Sequence, residues 1–281
     1  MKGHWIRNMS NLVWLVLCLV VTIPVFAGDA QPVVVFAGSA SQPPLEEAAE
    51  AFQAKTGIPV ILHMGGSGAM LSQVRLTGLG DLYIPGSPDY LEKAQSLGLV
   101  EEKNAILAYL VPALLVPAGN PLDIKVLQDL ARPGLRVGLA DPDGVCVGLY
   151  AVEILEFNSL AGIVRPNLKG MVESCAKAAS MIPLNLVDVV IGWREFASWN
   201  PVMMEMVQLA PEQVPRLAYI PAARLRKARN PQGAGMFVDF LQSDEGQAIF
   251  RKWGYLTAEQ AAREYAPRAR IGGIYKLPEG W

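Results

Sequence analysis

The sequence predicts an α/β protein in which mainly parallel β-sheets are flanked by helices. Short apolar runs typical of buried strands alternate along the chain with segments whose apolar residues recur at helical spacing. Glycine-rich corners join several of these strands to the helices that follow. Because no internal repeat or low-complexity segment interrupts the alternation, we expect parallel strands linked by helices that cover the sheets.

The first 27 residues have the layout of a secretory signal peptide. Basic residues precede an apolar run over residues 12–26, and small residues then allow cleavage after Ala27 or, as second choice, after Ala30. The run falls slightly short of the about 17–25 residues that span a bilayer. An uncleaved anchor therefore stays open, although Pro24 argues against it. Cys18 lies inside the run and would be discarded.

Composition limits the kinds of protein that the remainder can form. Cleavage leaves about 250 residues, enough for one large domain or two lobes of about 100–130 residues each. The formal net charge of −2 and the lack of a basic tract argue against a nucleic-acid partner. His63, expected to be a partly buried polar residue, is the only remaining histidine, which nearly excludes a Ser-His-Asp hydrolase and a histidine-ligated zinc site. We therefore expect no cofactor or metal, and an enzyme is disfavoured because no nucleophile–base pair can be assembled around one histidine.

The individual elements follow from local patterns. The first helix can begin at Pro43 and Pro44, since proline suits the first helical turn, and it ends at Gly57. Strands are predicted at 33–37, 58–62, 81–85, 106–116 (interrupted by Pro112), 135–139 and 187–191. Helices are predicted at 44–55, after Ser67, and at 90–97, 123–130, 147–157, 174–182, 232–241 and 244–252.

Two corners in the first half of the chain combine glycine with serine. Residues 63–71 read His-Met-Gly-Gly-Ser-Gly-Ala-Met-Leu, between a strand and a helix. The first turn of a helix has unpaired N–H groups that favour an anion, and Ser67 adds a hydroxyl donor there. Ser39 and Ser41 lie in a similar corner, where Ser41 is the candidate helix cap. Because ligands of open α/β sheets bind at the carboxyl ends of strands, both corners predict one anion site.

Three corners in the second half could complete such a site. Residues 141–148 link a strand to a helix, although Asp-Pro-Asp-Gly is first of all a turn. Residues 173–176 open another helix, and residues 192–194 follow a strand. Arg194 could bind the anion directly or pair with Glu195 on a solvated face, and we favour the pair.

Several of these motifs occur in the order and spacing of one known family, over about residues 33–255. They are the run 35–39, the Gly-Ser-Gly corner with Gln73 six residues after Ser67, and Asp141-Pro142-Asp143 with Gly148 and Tyr150. In these motifs the chain resembles the periplasmic molybdate-binding proteins of ABC transporters and their archaeal tungstate- and molybdate-binding relatives. The resemblance implies a two-lobed periplasmic binding protein that closes a cleft on a tetrahedral oxyanion.

The resemblance also implies site residues, lobes and partners. The family's first-lobe serines fall on Ser39 (or its neighbour, depending on a one-residue gap, so that the choice between Ser39 and Ser41 stays open) and on Ser67. Its second-lobe backbone donors fall on Val147 and Cys175. Lobe 1 would comprise residues 28–110 and 222–281, and lobe 2 residues 111–221. The chain would cross between them near 109–112 and near 219–222. Partners would be a small oxyanion, molybdate or tungstate first, and the permease of an inner-membrane transporter, with the binding protein a monomer.

Two segments depart from the family pattern. Where bacterial members have a tyrosine hydroxyl, this chain reads Ile191-Gly192-Trp193. Trp193 and Arg194 are the candidate ligand contacts there, and which of them faces the cleft stays open. The segment 82–88 is also unlike the family. Sulfate, phosphate-like anions and small organic anions therefore stay open as ligands, as does a sensing or adhesion receptor without a transport role.

The last expectation is a disulfide between Cys146 and Cys175. They are the only cysteines after signal removal, and both lie in corners assigned to the same cleft, in an oxidising compartment. Closing the loop between them would be worth roughly 3–4 kcal/mol in the chain-entropy model. Two buried thiols that never meet remain the alternative.

Overall fold

In the computed structural model, which describes residues 30–281, the chain forms two sheets. The predicted signal peptide lies outside the described residues. The strands of the first sheet are β1 (Val33–Gly38), β2 (Val60–Gly65), β3 (Leu82–Ile84), β4 (Val100–Leu110), β10 (Arg216–Leu225) and β11 (Arg270–Ile271). The strands of the second sheet are β5 (Pro112–Pro117), β6 (Val137–Ala140), β7 (Leu168–Val172), β8 (Val189–Trp193) and β9 (Met204–Gln208).

Each sheet has a parallel part that carries the corners and an antiparallel part next to it. In the first sheet the order is β11-β10-β3-β1-β2, and β1 pairs in parallel with both β2 and β3. In the second the order is β7-β6-β8-β5-β9, and β6 pairs in parallel with both β7 and β8. The antiparallel pairs involve β10 in the first sheet and β5 in the second. The predicted α/β class, with sheets flanked by helices, is confirmed.

The helices agree with the predicted ones except at three places, one of which is the short helix Ala161–Val164, which was not predicted. They are α1 (Gln42–Thr56), α2 (Ser67–Thr77), α3 (Pro88–Ser96), α4 (Cys146–Phe157), α5 (Ala161–Val164), α6 (Cys175–Ser180), α7 (Pro231–Gln242), α8 (Asp244–Lys252) and α9 (Glu259–Arg263). Helix α1 ends at Gly57, whose φ of 73° is the left-handed conformation that glycine adopts without strain. The predicted helix at 123–130 is only a 3₁₀ turn, Leu127–Ala131, and α9 had no assignment.

The predicted strand at 106–116 is wrong, because it is two strands in different sheets. β4 ends at Leu110 and β5 begins at Pro112, so the chain passes from the first sheet to the second at Val111. An apolar run shows that each half is buried, but it does not show which sheet each half joins. The second predicted crossing, at 219–222, falls inside β10, which pairs with β4.

His63 is exposed, not partly buried, because β2 is the edge strand of its sheet. Its ring stacks on Phe36 with the centroids 4.7 Å apart.

Two apolar clusters hold the sheets and helices together. The larger one contains β1, α1 and α7 and reaches the starts of α4 and α6, while the smaller one lies around Leu114, Leu139 and Ile154. Buried alanines of the C-terminal segment, Ala262 and Ala266, belong to the smaller cluster.

No single helix within residues 30–281 is long and apolar enough to cross a membrane. One bent pair, Cys146–Phe157 with Ala161–Asn167, passes the same test of length and composition only when taken together.

Candidate functional site

The two parallel strand sets aim their carboxyl ends at each other across the space between the sheets. β1, β2 and β3 lead into corners that contain Ser39, Ser67 and Gly86. β6 and β7 lead into the first turns of α4 and α6, and β8 ends at Trp193. Hydrogen bonds join the two sets of corners. This common edge is the candidate site.

Ser67 is the first residue of α2, and its side chain is buried at 1 % exposure. Its hydroxyl oxygen accepts the N–H of Gly86 at 3.1 Å, and its carbonyl accepts the Tyr83 hydroxyl at 2.8 Å. A Cβ on Gly38 would lie 2.6 Å from the Ser67 Oγ, so this position has no room for a side chain. In the corners after β1, β2 and β3, the backbone at Gly38 and Gly86 therefore packs directly against the Ser67 hydroxyl.

Ser39, not Ser41, faces the second set of corners. The Ser39 Oγ accepts the backbone N–H of Ala176, in the first turn of α6, at 3.1 Å. The Ser41 hydroxyl instead donates back to the Gly38 carbonyl within its own turn, at 3.5 Å. Both serines are almost fully buried. Of the two serines that the sequence left open, Ser39 is the one that bridges the sheets.

Val147 and Cys175 both lie in first helical turns on the opposite side, buried at 1 % and 2 % exposure. The sulphur atoms of Cys146 and Cys175 are 3.5 Å apart, and both residues are free thiols. A disulfide would bring these atoms to about 2.05 Å. The two sulphur atoms are therefore in contact, while the disulfide bond stays a prediction.

Direct contacts close the space between the two sets of corners. The Gly68 N–H donates to the Gly144 carbonyl at 2.9 Å, and the Tyr90 hydroxyl donates to the Asp143 carbonyl at 3.1 Å. A Cβ on Gly66 would lie 2.6 Å from the carbonyl oxygen of Glu173. The structure therefore represents a closed arrangement.

The Asp-Pro-Asp-Gly sequence is a turn. Its Asp143 N–H donates to the Asp141 carboxylate at 3.0 Å. Within residues 30–281 no group of three or more His, Cys, Asp or Glu residues is arranged to hold a metal.

Trp193 and Tyr150 bring polar hydrogens into this buried region. Their rings meet edge to face with centroids 5.0 Å apart, and both side chains are at most 1 % exposed. Neither the Trp193 Nε1 nor the Tyr150 hydroxyl has a hydrogen-bond partner among the described residues. The Ser87 hydroxyl, next to Gly86, is also buried without one. Buried polar groups are normally paired, so these three unpaired donors are candidates to bind an acceptor on a ligand.

Arg194 is engaged away from the corners. Its Nη1 lies 3.0 Å from the Glu195 carboxylate and 2.9 Å from the Gly254 carbonyl, and its guanidinium stacks over Tyr265. The pair with Glu195 is buried, not solvated, since Glu195 is fully buried. Burial raises the pKa of Glu195 to about 7, although Arg194 acts in the opposite direction.

Sequence reasoning missed a buried ion cluster beside the site. Arg216, at the start of β10 and 0 % exposed, contacts Asp89 of α3 at 2.8 Å and Glu153 of α4 at 2.7 Å. Its guanidinium also covers the ring of Tyr150 at 3.9 Å. The only sequence signal was one arginine before the apolar run 217–223. The donors Gly86 and Ala176 were missed as well, because a backbone N–H leaves no side-chain signature.

Comparison with known proteins supplies the family. The model of the family described as bacterial extracellular solute-binding protein matches residues 33–256. A Haemophilus influenzae protein described only as a binding protein is 27 % identical over 259 residues, 89 % of this chain and 100 % of its own length. The molybdate-binding protein ModA of Rhodobacter capsulatus is 24 % identical over 254 residues, covering 86 % of this chain and 94 % of its own.

A solved structure gives the same fold. The sulfate-binding protein SubI of Mycobacterium tuberculosis superposes with a TM-score of 0.74 at 18 % identity, covering 86 % of this chain and 94 % of that one. The resemblance to molybdate-binding proteins seen in the sequence is confirmed as one of family. The chain belongs to the bacterial extracellular solute-binding proteins and is a two-lobed periplasmic solute-binding protein of the ABC-transporter type.

Proposed function

We propose that this protein binds a tetrahedral oxyanion, molybdate or tungstate first, between its two sets of corners and delivers it to the permease of an ABC transporter. The site would consist of Ser39 and Ser67 on one side and of Val147 and Cys175 on the other. The proposal includes export through the signal peptide at residues 1–27 and a monomeric, cofactor-free protein in the periplasm.

The observation that carries the proposal is the pairing of buried hydroxyls with backbone N–H groups at the closed cleft. The Ser67 Oγ accepts from Gly86, and the Ser39 Oγ accepts from Ala176. In both pairs the serine oxygen occupies the position of an acceptor. An oxyanion oxygen is a stronger acceptor than a hydroxyl, because hydrogen bonds to charged groups are roughly twice as strong as neutral ones. An arriving anion would take the two N–H donors, and both hydroxyls could then donate to it.

The anion would be held without a counter-charge. The nearest buried cations already have partners, Arg194 with Glu195 and Arg216 with Asp89 and Glu153. A site of neutral donors selects an anion by the spacing of its oxygens and not by its charge alone. Donors from both sides would be bridged by one ligand, so binding would stabilise the closed state over an open one.

The identity of the anion rests on weaker support than its class. The relative from Rhodobacter capsulatus is named for molybdate, whereas the solved neighbour from Mycobacterium tuberculosis is named for sulfate. Trp193, at the end of β8, supplies an N–H where the molybdate-binding family has a tyrosine hydroxyl. This difference would change the shape of the site at that position. Sulfate, phosphate-like anions and small organic anions are therefore the second candidates, and a receptor role without transport is the alternative use of the same site.

The test is a ligand panel on the mature protein. We expect thermal shift and calorimetry with molybdate, tungstate, sulfate, phosphate and small carboxylates to show that molybdate and tungstate stabilise the protein most. A preference for sulfate or phosphate would keep the site and change the ligand. Stabilisation by none of the inorganic anions would overturn the oxyanion proposal.

A further inference from the structure

Cys146 and Cys175 form a dithiol at the floor of the candidate site. They begin α4 and α6, their sulphur atoms are in contact at 3.5 Å, and both are at most 2 % exposed. Their cover comes from the opposite set of corners, because a Cβ on Gly86 would lie 2.6 Å from the Cys146 sulphur. The loop after β3 therefore seals the pair.

The closed arrangement makes this pair unreactive. The nucleophile in thiol chemistry is the thiolate, and burial is the main reason that the pKa of Cys175 lies well above its ordinary value, with Cys146 adding to the shift. The Val147 N–H and the Trp193 indole, which makes no hydrogen bond in the closed arrangement, act the other way and would stabilise the thiolate. If the cover moved away, water would reach the sulphurs while those donors stayed in place.

We propose that Cys146 and Cys175 are a closure-gated redox pair, which a small-molecule disulfide oxidises when the lobes are open and which a bound anion protects. The part of the proposal that concerns the anion rests on the proposed function. The sulphurs need to approach by about 1.5 Å to reach bonding distance.

The chemistry is thiol–disulfide exchange, with oxidised glutathione as the oxidant. One cysteine thiolate attacks a glutathione sulphur, which forms a mixed disulfide and releases one glutathione thiolate. The second cysteine attacks the protein sulphur of that mixed disulfide and releases the second glutathione. Two protein thiols have then lost two protons and two electrons, and one small disulfide has become two thiols.

Gly66 offers a way to open the cleft without any ligand. Its φ of −64° and ψ of 140° suit alanine, but the added Cβ would lie 2.6 Å from the Glu173 carbonyl and 3.1 Å from the Gly144 carbonyl on the opposite side. Gly66→Ala should therefore hold the lobes apart. Gly235→Ala is the matched control, since no atom lies within 4 Å of its Cβ position on α7.

The experiment follows oxidation of the reduced mature protein by oxidised glutathione, with alkylation of remaining thiols and mass spectrometry. Gly66→Ala should form the Cys146–Cys175 bond at least tenfold faster than the wild type, and Gly235→Ala should match the wild type. Cys175→Ser should stop at a glutathione adduct on Cys146. Equal rates in the wild type and Gly66→Ala, or adducts without an intramolecular bond, would overturn the proposal.

Folding of each variant is checked by circular dichroism. If Gly66→Ala does not fold, Gly68→Ala serves as the second variant that holds the lobes apart, because its Cβ would lie 3.2 Å from Gly144.

In the ligand experiment, saturating molybdate should slow oxidation of the wild type at least tenfold. Molybdate that binds by calorimetry without slowing oxidation would overturn the protection. Molybdate that does not bind counts against the proposed function alone, because the wedge comparison uses no ligand.

Discussion

The two sets of corners are joined in two regions of very different chemistry. Around Ser39 and Ser67 the contacts are neutral: the Ser39 Oγ accepts the Ala176 N–H across the cleft, and the Ser67 Oγ accepts the Gly86 N–H on its own side. Around Arg216 they are ion pairs among buried side chains, with Asp89 on the first-sheet side and Glu153 on the second. A neutral pair can exchange one acceptor for another at little cost, whereas a buried ion that loses its partner costs several kcal/mol. The first region is therefore suited to bind a ligand, and the second to hold the structure.

The ion cluster reaches the site through one face of α4. Cys146, Tyr150 and Glu153 are spaced four and three residues apart, so they lie in a row along that face. Arg216 covers the ring of Tyr150 and pairs with Glu153, and thereby fixes the helix whose first turn carries Val147. Damage to the cluster should reach the anion site indirectly, through stability.

The largest expected effect is that of Arg216→Met. This change leaves Asp89 buried without its cation and Glu153 with only the more distant Arg270, at 3.8 Å. The loss of one partner from a buried ion pair typically costs about 3–5 kcal/mol. Urea unfolding of the anion-free protein should show that loss in the free energy of unfolding.

Arg224→Met is its control, because the pair of Arg224 with Glu101 is partly exposed, at 41 % and 35 %. A surface pair of this kind contributes about 0–1 kcal/mol. Equal, small losses in the two variants would show that the buried cluster is not the stronger of the two regions.

Glu195 gives the second effect, which depends on pH. Its pKa is raised from 4.5 to about 7 by burial, so the folded state binds the proton more tightly than the unfolded state. The contribution of Glu195 to the free energy of unfolding is therefore fully present below pH 4.5, and it is lost as the pH rises to about 7. The total is on the order of 3 kcal/mol, since one pKa unit corresponds to about 1.4 kcal/mol.

Glu195→Gln should remove this component from unfolding curves measured between pH 4.5 and 8. Glu264→Gln is the control: Glu264 is exposed, so its replacement should leave the pH profile of stability unchanged. A profile that Glu195→Gln does not alter would mean that the carboxyl is charged in the folded protein throughout this range.

The neutral region is tested next. Ser67→Ala and Ser39→Ala each remove one hydrogen bond to a charged ligand, worth about 1.5–3 kcal/mol, or about ten- to hundredfold in affinity. Ser72→Ala is the control, because it lies on the same helix as Ser67 but is exposed. Calorimetry with the anion that the panel identifies should separate them. Unchanged affinity in Ser67→Ala would remove this corner from the site.

The same contrast explains what sequence could predict. The strands that precede Ser39 and Ser67 follow from apolar runs, and the end of α1 follows from Gly57, since these signals are local. The proximity of Cys146 and Cys175 could also be anticipated, because both lie in corners that were assigned to one cleft. These features depend on patterns a few residues long.

The remaining features depend on contacts between distant segments. Nothing local shows that Arg216 pairs with Asp89, which lies 127 positions away, or that the Gly86 N–H points at Ser67. The run 106–116 has the same apolar character on both sides of Val111, although its halves join different sheets. Partner choice, in both regions, is set by the tertiary fold.

The smallest expected effect is the response of anion binding to salt. A site that attracts its ligand with exposed lysine or arginine loses affinity as salt rises, because the Debye length falls from about 10 Å at 0.1 M to about 3 Å at 1 M. Here the nearby cations Arg194 and Arg216 are paired and largely buried, and the proposed donors are neutral. The affinity for the identified anion should therefore change by less than about threefold between 50 and 500 mM sodium chloride, as measured by calorimetry. A tenfold or larger loss of affinity would mean that a free positive charge attracts the ligand. The assignment of ligand binding to the neutral region and of structural stability to the charged one would then be wrong.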